Sequence, residues 1–301
     1  MARVASSQGW QADDWRAWFQ ELVGLTRREL VQLRDGAEEG PKHVHRARMI
    51  LKRLRTGTRL LQGVVDKETL KRNLQIFRDT ARLLAPSRDG TVRLRTYNGL
   101  VGNDEKTTKG KLAEVRMRLA SEAAAGEQLA WEEAEDALRL LDQAGVPKRL
   151  WGEAGKEKIK KSLSRMLKRA RRDYRDLVKG ESHEFHDLRK EVKDLFYALE
   201  ALPRDAKGSR KRVLASLKVL EESLGSQNDV FVLEEWIKEE GYGLKECPRF
   251  WRAAARREKS LRKIVIREGA ILEDLARDSR YRKAFLTPQE AKRIIPQKRW
   301  G

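Results

Sequence analysis

Apolar residues recur every three or four positions along almost the whole chain, and no stretch alternates as a half-buried strand does. The first such stretch carries Trp15, Trp18, Phe19, Leu22 and Leu25 at the spacing of one helix face. Glycine or proline separates the stretches, which is typical of helix ends. Further helices are predicted at about 41–63, 67–84, 88–100, 104–124, 127–144, 153–179, 182–202, 206–224, 227–240 and 248–277, with a short piece near 287–295. The pattern predicts an all-α fold.

The chain also resembles itself at a shift of 141 residues. This shift places Val44-His45 on Phe185-His186 and Arg48 on Arg189. With one residue of slippage, 84–89 meets 224–229. Helical patterning alone would align apolar positions, but it would not also align a histidine and basic residues. We therefore expect two pseudo-symmetric helical bundles packed as one domain over 11–295, with repeats at 11–146 and 147–295 and short tails at 1–10 and 296–301.

Charge narrows the choice of partner. The 301 residues include 66 Lys and Arg against 46 Asp and Glu, a formal net charge of +20. A compact particle with this excess repels itself, so a polyanionic partner is expected to neutralise it. Cys247 is the single cysteine, which excludes an internal disulfide and favours a reducing compartment. No run approaches the ~18 apolar residues of a membrane span, so we expect a cytoplasmic protein.

The second helix of each repeat carries a row of basic residues. In the first repeat, the row falls within an arc of about 80° at about 100° per residue. No Asp or Glu occurs between Pro41 and Val65, so like charges repel there without compensation. This suggests that a ligand supplies the anions. The two rows comprise His45, Arg48, Lys52, Arg55 and Arg59 in one repeat, and His186, Arg189, Lys190, Lys193 and Tyr197 in the other.

The first helix of each repeat adds further cations. Arginine offers planar, forked donors that suit phosphate oxygens. The candidates for a phosphate-binding surface on these helices are Arg28, Arg165, Arg169 and Arg172. A third basic segment lies at 249–267.

No catalytic, metal or cofactor motif is visible. Gly110-Lys111 and Gly155-Lys156 lack the glycine spacing and the following Ser or Thr of a phosphate-binding loop. His43 and His45 point to different sides of a helix, and no cysteine cluster or HExxH pattern supports a metal at His183 and His186. The histidines could pack between helices or contact an anion, and the sequence leaves both roles open.

Two motifs resemble a known family. Val44-His45-x-x-Arg48-x-x-x-Lys52-Arg53-Leu54-Arg55 is similar to the signature of the CHAD family, the conserved histidine α-helical domains. The segment Phe185–Leu199 is similar to its second copy, and Leu224–Asp229 to the turn that follows. The resemblance implies paired helical bundles whose basic faces bind inorganic polyphosphate, often at polyphosphate granules. The chain departs from the family pattern at 85–88, so the resemblance assigns no ligand role to Arg88.

A basic helical chain of this kind is compatible with more than one function. We expect a non-enzymatic polyphosphate-binding protein located at granules. Non-specific nucleic-acid binding is the alternative, because counterion release draws any basic surface onto DNA or RNA. A hydrolase or kinase acting on phosphate chains is disfavoured, because no nucleophile and base are paired in the sequence.

Overall fold

The structure is a computed structural model, and it describes residues 12–102, 109–145, 153–180, 185–202 and 209–277. All of its regular elements in these ranges are α-helices, so the all-α prediction is confirmed. Both predicted tails, the junction of the repeats and the piece near 287–295 lie outside the described residues. The helices are α1 (Ala12–Arg34), α2 (Gly40–Leu60), α3 (Lys67–Leu83), α4 (Ala85–Val101), α5 (Lys111–Glu132), α6 (Ala134–Asp142), α7 (Glu153–Lys179), α8 (Phe185–Ala201), α9 (Ser209–Glu239) and α10 (Pro248–Arg277).

Local chemistry explains where α2 and α3 begin and end. Pro41 lies in the first turn of α2, where its missing N–H removes no helical hydrogen bond. Gly63, with φ of 80°, turns the chain after α2. Asp66 then caps α3, since its carboxylate accepts a 2.7 Å hydrogen bond from the backbone N–H of Thr69. Pro41 therefore fixes the start of the basic helix α2, and Gly63 and the Asp66 cap fix the turn that follows it.

Two glycines predicted to end helices lie inside them. Helix α9 runs through Gly225, and α5 runs through Gly126. Glycine keeps its N–H donor, so it weakens a helix without breaking it, whereas Pro86 stands near the boundary of α3 and α4. The predicted divisions at 206–224 and 227–240, and at 104–124 and 127–144, are therefore wrong.

The core has three parts. One cluster is built mainly from residues of the second repeat, with Trp15, Leu60, Leu61 and Val65 added from the first. Another is built from first-repeat residues alone. The third joins the repeats, because it packs Tyr97 of α4 against Phe250 of α10 with ring centroids 6.1 Å apart. Each repeat thus buries its own apolar faces, and shared clusters hold the two together.

Helices α2 and α8, the equivalent helices of the two repeats, pack against each other. Arg53 of α2 donates to Glu200 of α8 at 3.0 and 3.1 Å. Further along, Arg59 of α2 pairs with Asp194 of α8 at 2.6 Å. The two basic rows therefore meet near the centre of the molecule. None of the described helices is long and apolar enough to cross a bilayer.

Replacing Gly126 with alanine should destabilise the fold, because the added carbon would lie 2.7 Å from the carbonyl oxygen of Pro86. Separating α4 from α5 to relieve this contact should lower the free energy of unfolding by about 1–3 kcal/mol. Gly225→Ala is the matched control, since nothing lies within 4 Å of its added carbon. Alanine there should stabilise α9 by about 0.5–1 kcal/mol. Urea denaturation followed by circular dichroism measures both, and shifts in the same direction would contradict the packing described.

Candidate functional site

A group of half-buried cations lies where α2 and α8 meet, with α4 beside them. The members repel one another across the repeat boundary. The charges of Lys193 and Arg88 lower the pKa of Lys52, and the charge of Arg55 lowers the pKa of Lys193. Each has a partly covered side chain. We name this group the central cluster, and it consists of Arg48, Lys52, Arg55, Arg88, Arg189 and Lys193.

The two lysines of the central cluster are the most strongly perturbed. Burial, followed by the charges of Lys193 and Arg88, lowers the pKa of Lys52 to about 7. Burial, followed by the charge of Arg189, lowers the pKa of Lys193 to about 8. The ion pairs at this junction involve arginines, as in Arg59 with Asp194, and leave both ammonium groups out. The buried position of the two lysines therefore lowers their affinity for protons.

The arginines of the central cluster are similarly desolvated. Burial is the main cause that lowers the pKa of Arg48, Arg55 and Arg189. Arg48 donates to the backbone carbonyl of Ala81. The Nε–H of Arg189 is buried and makes no hydrogen bond within the described part of the chain. A buried donor without an acceptor costs about 1–3 kcal/mol, and an anion bound here would supply the acceptor.

Carboxylates are interleaved with these cations. Arg88 pairs with Asp89 at 3.1 Å and with Asp229 of α9 at 3.3 Å, so it joins the two repeats. Glu221 of α9 acts on both lysines of the central cluster. The negative charge of Asp89 favours the protonated form of Arg48, and that of Asp229 favours the protonated form of Arg189. This correspondence agrees with the alignment of 84–89 with 224–229. The carboxylates offset part of the charge and hold the arginines in place.

The histidines divide into two roles. The Nδ1 atom of His43 lies 2.7 Å from a carboxylate oxygen of Glu29, so this histidine joins α1 to α2. His45 is exposed, and partial desolvation with the charges of Lys52 and Arg95 lowers its pKa. His186 is exposed on α8, and His183 lies outside the described residues. His45 is therefore the histidine that the central cluster influences directly.

The predicted residues do not all belong to one site. Arg48, Lys52, Arg55, Arg189 and Lys193 come together in the central cluster. His45, His186 and Lys190 lie at its exposed margin on α2 and α8, and Arg59 lies beside it in its ion pair with Asp194.

Tyr197 is fully buried, and its hydroxyl donates to the sulfur of Met49 at 3.3 Å. It packs beneath the site, where burial raises its pKa. Its place in the periodic row therefore reflects packing between α2 and α8.

The predicted arginines of the first helices lie elsewhere. Arg169 bonds to Glu191 at 2.8 Å, and Glu191 lies about 160° around α8 from Arg189. Arg165 and Arg172 are exposed on the side of α7 that faces away from the core. Arg28 is likewise exposed on the outer side of α1. The structure does not bring these four arginines to the central cluster.

Sequence reasoning assigned no role to Arg88, which acts on His45, Arg48, Lys52 and Arg189. The sequence feature that could have identified Arg88 is its position beside Asp89, in the segment that aligns with Asn228-Asp229. Arg78 and Arg82 of α3 were also missed, and both act on Arg55. They occur on a helix with acidic neighbours such as Asp79, so in the sequence they look like an ordinary solvated face of mixed charge.

The site suits an extended anion better than a metal ion. Within the described ranges, no three His, Cys, Asp or Glu side chains converge as metal ligands. The central cluster instead presents several N–H donors from three helices, which can contact successive phosphate groups of one chain. Its chemistry is that of binding and neutralising negative charge.

Comparisons with known proteins agree with the family expected from the two motifs. The family model described as CHAD domain matches residues 21–238. The crystal structure of the CHAD domain from the plant Ricinus communis has a TM-score of 0.54 and 18% identity, covering 95% of this chain and 94% of that chain. PptA from Streptomyces chartreusis has a TM-score of 0.54 and 15% identity, with coverage of 88% and 99%. None of the curated proteins compared matches the chain. The two structures show a shared fold.

Replacing Lys52 with methionine should stabilise the unliganded protein. Between the folded pKa of about 7 and the ordinary value of 10.5, the unfolded chain binds more protons at this residue, so stability rises with pH. The variant should gain on the order of 1–3 kcal/mol at neutral pH and show a smaller pH slope. Exposed Lys71→Met is the control and should change neither. Thermal unfolding across the alkaline range measures this, and a destabilised Lys52 variant would contradict it.

Proposed function

The chain belongs to the CHAD domain family, and we propose that it binds inorganic polyphosphate at the central cluster without hydrolysing it. The observation that carries this proposal is the meeting of half-buried cations from both repeats. Among them are Lys52 and Lys193, which form no ion pair with the part of the chain that the structure describes. Their mutual repulsion is relieved when a polyanion replaces the missing countercharge. The buried Nε–H of Arg189 adds a donor in need of an acceptor.

The position of the cations favours polyphosphate over a duplex. They lie between α2, α4 and α8 with partly covered side chains, where a narrow and flexible chain can approach. A rigid duplex would meet the outer side chains first and could engage only part of the central cluster. Polyphosphate also carries a charge on every unit, so it can displace carboxylates such as Asp229 from Arg88.

The ion pairs of three nearby carboxylates support binding without hydrolysis. Asp89 and Asp229 are engaged by Arg88, and Asp194 by Arg59. A metal-dependent hydrolase instead directs several carboxylates toward a shared cation. We propose that the protein is targeted to polyphosphate granules, or organises them, by retaining intact chains.

Neutralising either half of the site should weaken polyphosphate binding. Arg48→Gln with Lys52→Met, and separately Arg189→Gln with Lys193→Met, should each lower affinity at least about tenfold at ~150 mM salt, since each charge-assisted contact contributes about 1.5–3 kcal/mol. The matched control, Lys71→Met with Lys245→Met, removes the same number of charges from exposed positions. Fluorescence anisotropy with labelled polyphosphate measures the affinities.

Equal losses in the control and site variants would indicate binding through net charge alone. Two further outcomes test the proposal in the same samples. Unlabelled duplex DNA should compete poorly at ~150 mM salt, where non-specific contacts weaken. Polyphosphate recovered after incubation with Mg²⁺ should keep its length on a gel, and shortening that survives further purification would contradict binding without hydrolysis.

Binding should be stronger at lower pH. A bound polyanion favours the charged forms and so raises the pKa of Lys52, Lys193 and His45, which means that binding takes up protons. Because the free lysines have pKa values of about 7 and about 8, affinity should rise as the pH falls from about 9 to about 6. Calorimetry in buffers of different ionisation enthalpy counts the protons. Lys52→Arg with Lys193→Arg keeps the charge and should reduce the uptake, and a pH-independent affinity would refute this coupling.

A further inference from the structure

A second cationic surface lies on the outside of α7 and α10. On each helix, exposed cations follow one line within an arc of about 80°, opposite the buried positions. Buried Met166 and Ala170 mark the inner side of α7, and buried Leu261 and Val265 mark that of α10. We name these two lines the α7–α10 face, which comprises Lys161, Arg165, Lys168 and Arg172 on α7, and Arg252, Arg256, Lys259, Lys263 and Arg267 on α10.

The two lines form one continuous surface. Arg171 of α7 bonds to Glu273 of α10 at 2.8 Å, and the hydroxyl of Tyr174 donates to the carbonyl of Ile266 at 2.7 Å. Residue numbers therefore rise along α7 as they fall along α10, so the helices are antiparallel. The part of α10 from Val265 onward buries its opposite side in the same core cluster as α7, so the two exposed lines face the same way there. Towards Arg252, α10 continues as one helix with Phe250 and Ala254 buried in the third cluster. At 1.5 Å per residue, the surface extends about 40 Å from Lys161 to Arg252.

Most of these charges are uncompensated. Arg172 pairs with Asp173 at 2.8 Å, and Arg267 with Glu268 at 2.9 Å. The other seven are in no ion pair with a carboxylate of the described residues. Like charges spaced three and four residues apart repel one another, and these side chains contribute nothing to the core. By contrast, α6 has the usual solvated pattern, with Arg139 near Glu135 and Asp136.

We propose that the α7–α10 face binds double-stranded nucleic acid through its phosphate backbone, independently of base sequence. The surface is exposed and about as long as one turn of a duplex, ~34–36 Å. A rigid duplex loses little conformational freedom when it lies on such a surface, whereas a flexible chain must be ordered along its whole length. Binding of single strands usually requires exposed aromatic rings, and the exposed cations here have none among them.

This surface is separate from the central cluster. Helix α7 contacts α8 through Arg169 and Glu191, on the side of α8 about 160° from Arg189. One protein can therefore hold both polymers at once. Duplex binding does not depend on the proposed function, but the bridging of polyphosphate to nucleic acid does.

The test uses a labelled 20-base-pair duplex of mixed sequence at ~50 mM salt. Lys259→Gln with Lys263→Gln, and separately Lys161→Gln with Lys168→Gln, should each weaken duplex binding about tenfold. Each pair should also reduce the slope of log affinity against log salt by about 2, since each lost phosphate contact removes about 0.9. Polyphosphate affinity should stay unchanged in both.

Two controls separate this proposal from the first. Lys71→Gln with Lys245→Gln removes the same charge elsewhere and should leave duplex affinity within about twofold. Lys52→Met should weaken polyphosphate and leave the duplex unaffected, because it lies off this surface. If the face variants bind the duplex normally, or lose polyphosphate instead, the assignment of duplex to this face is wrong. If Lys52→Met alone fails to weaken polyphosphate, the proposed function fails while this one stands.

Bridging has its own measurement. Duplex fixed to beads should retain labelled polyphosphate only when wild-type protein is added. The Lys259/Lys263 variant should strongly reduce retention because it binds the duplex weakly. The Arg48/Lys52 variant should do so because it binds polyphosphate weakly. Loss of duplex from the beads when polyphosphate is added would show that the two polymers compete for one site, which would overturn separate binding.

Discussion

Repulsion between like charges in a poorly solvated space is the constraint on which this site depends. Two helices from different repeats bring Lys52 and Lys193 close together. Burial and neighbouring cations lower the pKa of both lysines. Such an arrangement stores unfavourable free energy that the core must offset. The three apolar clusters supply that offset, and one of them packs residues of both repeats together. In the proposed function, binding of a polyanion recovers part of this stored energy.

The carboxylates among the cations are part of the same balance. Asp229 reaches across the repeat boundary to Arg88 and fixes the direction of its guanidinium group. Preorganised side chains lose less freedom when a ligand binds. In the proposed function, the same carboxylates repel weakly charged competitors, so a ligand needs dense negative charge to displace them. The proposed affinity for a polyanion and the proposed discrimination among polyanions thus rest on one mixed set of charges.

The α7–α10 face differs from the central cluster in solvation more than in residue type. Both are built from Lys and Arg, yet Lys259 and Lys263 stand in solvent while Lys52 is mostly covered. Exposed charges contribute little in isolation and are strongly screened by salt, whereas covered charges are screened less. The fold thereby gives one basic composition two differently solvated cationic surfaces, which are the two proposed anion-binding sites.

Periodicity in the sequence determined the helical class and most helix limits, since apolar spacing follows from helix geometry. It also placed Arg48, Lys52, Arg189 and Lys193 beside the buried faces of α2 and α8. Periodicity gives an angle around one helix, but it does not say which helices pack together. Packing alone brought Arg88 into the central cluster, placed Arg165 on the outside of α7 and buried Tyr197. Tertiary contact likewise explains the glycine at 126, because α4 approaches α5 too closely there for any larger residue.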